Sequence, residues 1–296
     1  MTAPATPHPP QTPGPSALPP HAGEPLALLT LHGKAQAVAG PLAAAGYAVF
    51  TVTGVDTDAL GTFTGETPRT LTPLEAARTK AEHAARLGGC RWGLGSEGSF
   101  GPDPYLGLSG WGRELLVAWD AQAGRSVHAA CEGAETNYAQ TTVADLDAAL
   151  AFAARAGHPG HGVIVGRPGE PWFCKDTPED PSAWAALLRQ ALAQAVPAAG
   201  GLWLETDMRA HRNPTRMAMI GRCAQALASA LQTACPACGA AGFVATRSLS
   251  GARCTGCNRP TRAVRAQVRQ CSACGHADEV EVQATVPPSR CDFCNP

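Results

Sequence analysis

The chain has 296 residues, 45% of them hydrophobic, and its 23 Lys and Arg residues nearly balance its 24 Asp and Glu residues. This apolar fraction excludes a disordered chain, and a formal net charge of -1 excludes a protein that binds nucleic acid or anionic membranes over its whole surface. At roughly 150 residues per domain, the length predicts two folded units.

The first 25 residues form a proline-rich segment that we predict to be a disordered tail. It holds nine prolines and no Lys or Arg, so it lacks the charged and apolar regions of a signal peptide. The uncharged run 35–55 is interrupted by Gly40-Pro41 and Gly46, which favours a helix, a turn and a strand over a membrane span. The sequence therefore predicts a cytoplasmic protein without a membrane segment, in which cysteines stay reduced.

Residues 26–232 alternate short β-like runs with Ala/Leu-rich segments, which predicts an α/β domain with a mixed sheet. The best-defined helix starts after Thr72, which forms a capping box with Glu75 and precedes Pro73 at the first helical position, and it ends at Gly88. Predicted strands cover 26–31, 47–53, 92–95, 114–119, 126–131, 161–166 and 202–206, and further helices cover 143–156, 182–195 and 214–231.

The domain contains all three lysines of the chain, Lys34, Lys80 and Lys175. Lys34 follows Gly33 between a predicted strand and a predicted helix, and helix-start amides at such a strand exit suit an anion. Lys80 lies at the border of the apolar stripe of its helix, where its side chain can reach a cleft. The alternative is that all three are ordinary surface lysines.

Two segments carry carboxylates among small residues. Glu66 lies in the polar segment 54–69 after a strand, and Glu97 lies in the glycine-rich segment 93–102, which we interpret as a second strand exit. Together with Asp56 and Asp58, these two acids can hold Mg²⁺ through a few carboxylates and several waters. The alternative is that the first segment is a polar loop with no chemical role.

A basic segment runs from the last predicted strand into the last predicted helix. Arg209, His211, Arg212 and Arg216 surround Asn213, the predicted N-cap, so their charges and the helix amides favour a phosphate or a carboxylate. An exposed basic loop with an ordinary cap is an equal alternative.

Eight of the twelve cysteines form four CxxC pairs in residues 233–296, which we predict to be a separate module. The gaps between successive pairs split this module into two similar halves, so we predict two small β-rich ribbons that each hold one structural Zn²⁺. We favour sequential pairing of the CxxC pairs over interleaved pairing, and expect a positive φ at Gly239 and Gly275. The ligands are Cys235, Cys238, Cys254, Cys257, Cys271, Cys274, Cys291 and Cys294.

Arginines between the ribbons can form a basic strip for nucleic acid, although a solvated linker is the favoured interpretation. These residues are Arg259, Arg262, Arg265 and Arg269.

Long motifs resemble an uncharacterised bacterial family, a domain of unknown function with a cysteine-rich tail. The motifs are GVDTDALGTFTGETPR, EAARTKA, GSEGSFGPDP, ETDMRAHRNPTRM and the closing CDFCNP. The core is also remotely similar to inosine-triphosphate-pyrophosphatase-like proteins, with Lys34, Lys80, Glu97 and His211-Arg212 in the same chain order. That resemblance implies phosphate contacts by the lysines, Mg²⁺ at the acid and a base held by His-Arg. In place of that superfamily's Asp-Asp-Ser-Gly loop this chain has Ser96-Glu97-Gly98-Ser99.

Two functions compete at this point. In the first, the α/β domain binds or hydrolyses a nucleotide or another phosphorylated small molecule. Lys80, Glu66 and Glu97 would act in catalysis there, and Lys34, Arg209, His211 and Arg212 would bind the substrate. In the second, the chain is a non-enzymatic zinc adaptor whose ribbons bind nucleic acid or protein. The sequence does not determine the oligomeric state.

Overall fold

The computed structural model describes residues 21–30, 33–54 and 71–296. The proline-rich residues 1–20 and the acids Asp56, Asp58 and Glu66 lie outside the described residues. Within the described residues, no helix combines the length and apolarity needed to cross a bilayer.

The N-terminal part of the fold is a five-stranded mixed sheet with helices on both faces, as the α/β prediction requires. Strand β1 pairs in parallel with β2 and β3, and β3, β4 and β5 pair antiparallel, giving the order β2-β1-β3-β4-β5. The elements are β1 (Glu24–Leu29), α1 (Ala35–Ala44), β2 (Tyr47–Val52), α2 (Pro73–Gly88), β3 (Trp92–Pro102), β4 (Gly110–Asp120) and β5 (Arg125–Gly133).

Alternating residues of β1 pack into two different cores. Leu26 and Leu28 join Val38 of α1 in the larger core, whereas Ala27 and Leu29 pack with Ala84 of α2. Helices α1 and α2 therefore cover opposite faces of the sheet, and β1 lies between β2 and β3, which α2 connects. In α/β folds, ligands commonly bind beyond the carboxyl end of the strand at which the connections diverge to opposite faces, which here is β1.

The glycine-rich segment 93–102 is the interior of a strand, so its interpretation as a strand exit is wrong. Strand β3 pairs with β4 over its whole length, and its glycines leave room for α2. A Cβ atom at Gly95 would lie 1.9 Å from the backbone oxygen of Ala77, and one at Gly93 would lie as close to that of Ala81. The small residues thus admit a helix rather than a ligand.

A second, three-stranded antiparallel sheet in the order β6-β8-β7 packs against α3 and α4. Strand β6 was not predicted, and the helix predicted from Val143 begins only at Leu146, because Val143 pairs with β8 and Asp145 caps the helix. The elements are β6 (Gln140–Val143), α3 (Leu146–Ala156), β7 (Val163–Val165), α4 (Pro181–Ala199), β8 (Leu202–Thr206) and α5 (Pro214–Gln232).

The cysteine module follows α5 and is built on a three-stranded antiparallel sheet in the order β12-β11-β9, with a two-stranded pair β10-β13. Gly242 joins the module to the larger domain, since its N–H donates to the carbonyl oxygen of Ala230 at 3.1 Å. The strands are β9 (Val244–Ser250), β10 (Arg253–Cys254), β11 (Val264–Gln270), β12 (Ala277–Glu281) and β13 (Thr285–Val286).

Candidate functional site

Lys34 lies beyond the carboxyl end of β1 and is the N-cap residue of α1. Its side chain is buried, and Nζ donates to Ser96 Oγ at 3.0 Å. Ser96 extends beyond the paired part of β1, because the β1–β3 register ends at Leu28 and Leu94. The end of β1 thus leaves the space in which a lysine from the following turn reaches the neighbouring strand.

Lys80 approaches the same point of β3 from the other face of the sheet. It is buried on α2 and forms an ion pair with Glu97, the residue after Ser96. Two of the three lysines of the chain therefore converge on adjacent residues of one strand. The structure brings together Lys34, Lys80 and Glu97, whereas Glu66 lies outside the described residues.

A fully buried ion pair between Glu114 of β4 and Arg216 of α5 completes this group of charges. Arg216 Nε donates to Glu114 Oε1 at 2.5 Å, and the Arg216 guanidinium also donates to the carbonyl oxygen of Met208. Removal of either charge would leave the other buried without compensation, which typically costs about 3–5 kcal/mol. The pair fixes the first turn of α5 against the sheet.

The pKa of Lys34 reports the electrostatics of the site. This pKa is lowered to about 8, mainly by burial and also by the charges of Arg216 and Lys80, which outweigh the opposite effect of Glu114 and Glu97. With Lys34 protonated, the group has three formally cationic and two formally anionic side chains, all of them buried, and so a formal charge of +1. A buried excess of positive charge of this kind favours binding of an anion.

The basic residues of the predicted segment contact different parts of the fold. Arg209 forms ion pairs with Asp207 at 2.8 Å and with Asp176 at 3.0 Å. Arg212 Nη2 donates to the carbonyl oxygen of Thr177 at 3.2 Å, and its Nη1 pairs with Glu179 at 3.4 Å.

His211 instead lies beside Gly33, since a Cβ atom at Gly33 would be 4.0 Å from that of His211. Its pKa is lowered by burial and by the neighbouring Arg209 and Arg212. Of the four basic residues in the segment, only His211 and Arg216 therefore lie next to the Lys34 group.

The four CxxC pairs form two tetrads, each with four Sγ atoms within 4.8 Å of one another. We call each CxxC pair a knuckle. The Sγ–Sγ distances between the two knuckles of a tetrad are 3.6–3.8 Å, far beyond the roughly 2.05 Å of a disulfide. The tetrads are Cys235, Cys238, Cys271 and Cys274, and Cys254, Cys257, Cys291 and Cys294. Both groups can hold a metal ion.

The favoured sequential pairing of the CxxC pairs is wrong, because the first knuckle shares its tetrad with the third and the second with the fourth. Strands β9 and β11 pair antiparallel, so the chain that follows the first knuckle returns to place Cys271 beside Cys238. The second and fourth knuckles meet through the short β10–β13 pair. The nearly equal gaps in the sequence carry no information about this return path.

Local backbone geometry favours the thiolate form of two cysteines, one in each tetrad. In each knuckle a backbone N–H donates to the carbonyl oxygen of the first cysteine, and Gly239 and Gly275 adopt the positive φ predicted for them. Backbone N–H groups, chiefly those of the second cysteine of each knuckle, lower the pKa of Cys271 to about 6 and that of Cys254 to about 7. Thiolates are the form of cysteine that binds metal.

Sequence reasoning missed Ser96 and Glu114 in the charged group. Glu114 had a weak signal, since it is the one acid in the otherwise apolar strand segment Glu114–Trp119. Its partner Arg216 is 102 residues away in the sequence, so no local sequence signal indicated the ion pair itself.

The fold and the two sites define a class of protein: an α/β domain with a buried group of charged side chains, followed by a module with two interleaved cysteine tetrads that can each hold a metal ion. A family model described as a domain of unknown function (DUF6671) matches residues 80–296, and the chain belongs to this family. Lys80, Glu97 and all eight module cysteines lie inside the matched span, and Lys34 lies before it. No curated protein is significantly similar to the chain.

Proposed function

We propose that the α/β domain binds the phosphate groups of a nucleotide or a similar phosphorylated small molecule, and hydrolyses it with Mg²⁺. The observation that carries the proposal is the convergence of Lys34 and Lys80 from opposite faces of the sheet on Ser96 and Glu97. Both lysines are buried, so neither is the solvated surface lysine of the alternative interpretation.

The charge of the group supports an anionic ligand. Lys34 lies at the positive end of the α1 dipole, which disfavours its ammonium group and favours an anion next to it. Burial and the charges of Arg216 and Lys80 lower the pKa of Lys34, and a bound phosphate would offset those charges. Loss of the lysine charge would therefore remove most of the affinity for phosphate.

Glu97 is the described residue that fits a Mg²⁺ ion. Mg²⁺ is typically held by one or two carboxylates together with phosphate oxygens and waters. Glu97 supplies one carboxylate beside the proposed phosphate site, with the second predicted acid, Glu66, outside the described residues. Such an ion neutralises charge on the phosphate and lowers the pKa of bound water. Lys80 would hold Glu97 in place and contact the phosphate.

We propose that both tetrads bind Zn²⁺. A tetrahedral site with Zn–S bonds of about 2.3 Å has edges of about 3.8 Å, which agrees with the Sγ–Sγ distances of 3.6–3.8 Å. Four thiolates fill the coordination shell, so the ions would be structural. Eight thiolates also need a reducing compartment, which supports a cytoplasmic location.

The adaptor hypothesis gains no specific support from the described residues. It relies on a basic strip, but each arginine of that strip lies against an acidic or aromatic side chain. The contacts are Arg262–Asp292 at 2.9 Å, Arg265–Glu279 at 2.8 Å, Arg269–Asp278 at 2.6 Å, and Arg259 over Phe293 at 3.6 Å from the ring centroid.

The experiment measures binding of tripolyphosphate and hydrolysis of nucleoside triphosphates, with Mg²⁺ added or omitted rather than chelated, so that bound zinc is preserved. We expect Lys34→Met and Lys80→Met to weaken tripolyphosphate binding by about 10- to 100-fold, as expected when a charged hydrogen bond is lost. Lys175→Met is the matched control, because Lys175 lies near Phe173 rather than in the charged group. The proposal is wrong if the wild-type protein neither binds nor hydrolyses any of these compounds.

A further inference from the structure

A partly open cavity of about 150 Å³ lies beside the charged group, at the edge of the second sheet. It is walled by Phe100 of β3 and Tyr138, and Gln140 and Glu205 supply polar groups. An engineered cavity of about 150 Å³ accommodates a benzene ring, so one ring of a planar two-ring ligand fits inside and the open side of the cavity admits the second ring. Two aromatic side chains at its wall suit stacking on such a ring.

The cavity and the proposed phosphate site lie along the same face of β3. Phe100 is four residues from Ser96 and on the same face of β3, which places it about 13 Å along the strand. Between them, Arg216 lies over Gly98 and within 5.2 Å of the Phe100 ring centroid. The backbone oxygen of Met208, another residue of the cavity, accepts a hydrogen bond from Arg216. An extended nucleoside triphosphate covers such a span.

The polar groups of the cavity match the edge of a nucleobase. Glu205 accepts a hydrogen bond from Trp203 Nε1 at 3.3 Å, and the Gln140 amide oxygen accepts one from the Tyr138 hydroxyl at 3.3 Å. The carboxylate of Glu205 is a further acceptor and the Gln140 amide nitrogen is a donor. Arg209, the one cation that lines the cavity, is bound to Asp207.

We propose that this cavity binds the nucleobase of the ligand and that Glu205 accepts a hydrogen bond from a ring N–H. This inference rests on the proposed function and specifies its substrate class. The site would bind nucleotides whose base carries a ring N–H, such as guanine, more tightly than nucleotides whose base has none, such as adenine. Phe100 and Tyr138 hold the ring, and the phosphates extend over the buried Arg216–Glu114 pair toward Lys34.

The test compares the affinities of GTP, ATP and tripolyphosphate by calorimetry in the presence of Mg²⁺. The wild-type protein should bind GTP about 10-fold or more tightly than tripolyphosphate, and more tightly than ATP. Glu205→Gln should weaken GTP binding by about 10-fold and leave tripolyphosphate binding unchanged, because a carboxylate acceptor is lost. Tyr138→Ala should weaken both nucleotides and spare tripolyphosphate. Glu281→Gln removes an exposed carboxylate of the cysteine module and is the control.

Three outcomes would overturn the inference while leaving the proposed phosphate site intact. These are equal wild-type affinities for GTP and tripolyphosphate, tighter binding of ATP than of GTP, and unchanged nucleotide affinity in both cavity variants. A wild-type protein that binds none of the three compounds overturns the proposed function together with the inference. Thermal unfolding of each variant verifies the fold, and Gln140→Ala replaces any variant that fails to fold.

Discussion

The interleaved pairing of the cysteines predicts opposite outcomes for two double substitutions that remove the same number of thiols. Cys238 and Cys274 belong to one tetrad, so Cys238→Ser with Cys274→Ser should leave one zinc ion per chain. Cys238 and Cys257 belong to different tetrads, so Cys238→Ser with Cys257→Ser leaves three thiolates in each site and should leave no intact four-thiolate site. Sequential ribbons predict the reverse.

The size of the effect follows from the geometry of the sites. A four-thiolate zinc site contributes about 10–16 kcal/mol at pH 7, and a site reduced to two thiolates loses its closed tetrahedral shell. Cys238 and Cys274 are exposed and Cys257 is half-buried, so serine is tolerated at all three positions without loss of packing.

The assay is elemental analysis after gel filtration in reducing buffer, with the wild-type protein as the reference for two ions per chain. Near-ultraviolet absorbance of Co²⁺-substituted protein gives an independent count of the intact four-thiolate sites. If the Cys238/Cys274 variant lost both ions while the Cys238/Cys257 variant kept one, the interleaved arrangement would be refuted.

Three further predictions concern the α/β domain. Gly95→Ala should reduce the free energy of unfolding by about 1–3 kcal/mol or more in urea titrations, because its Cβ atom would meet the backbone of α2 at 1.9 Å. Gly101→Ala is the control, and it should change this free energy by less than about 0.5 kcal/mol because the space around its Cβ atom is open. Glu114→Gln should cost about 3–5 kcal/mol in the same titration by leaving Arg216 buried without its counter-charge, and a loss below about 1 kcal/mol would contradict this. Tripolyphosphate affinity should fall as pH rises from 7 to 9, because Lys34, with a pKa of about 8, is charged below that pH and neutral above it. A flat pH profile in the wild-type protein, or an equal fall in the Lys34→Arg variant, would contradict the role of this lysine.

Local chemistry predicted much of the fold correctly. The capping box at Thr72, the cap at Asn213 and the positive φ of Gly239 depend on neighbours in the sequence, and the structure confirms each of them. The same holds for the assignment of the eight cysteines to metal-type tetrads, because CxxC spacing alone sets the geometry of a knuckle.

Errors arose where distant segments decide the outcome. The glycines of β3 suggest a strand exit in the sequence, whereas in the structure Gly93 and Gly95 leave room for the close packing of α2. The pairing of knuckles follows from the β9–β11 return path, which the spacing does not encode. Within the charged group, the approach of Lys34 and Lys80 could be expected from the residues, whereas the buried Glu114 that completes it could not.

The small number of lysines permits a direct test of the central claim that Lys34 and Lys80 bind phosphate. Protein labelled with ¹⁵N only in lysine has three side-chain ammonium groups, and each resonance is assigned by single substitution. On addition of tripolyphosphate and Mg²⁺, the Lys34 and Lys80 resonances should shift together and saturate at one ligand per chain, while that of Lys175 stays in place. A titration in which neither Lys34 nor Lys80 moves, or in which Lys175 shifts as much as they do, would contradict the account.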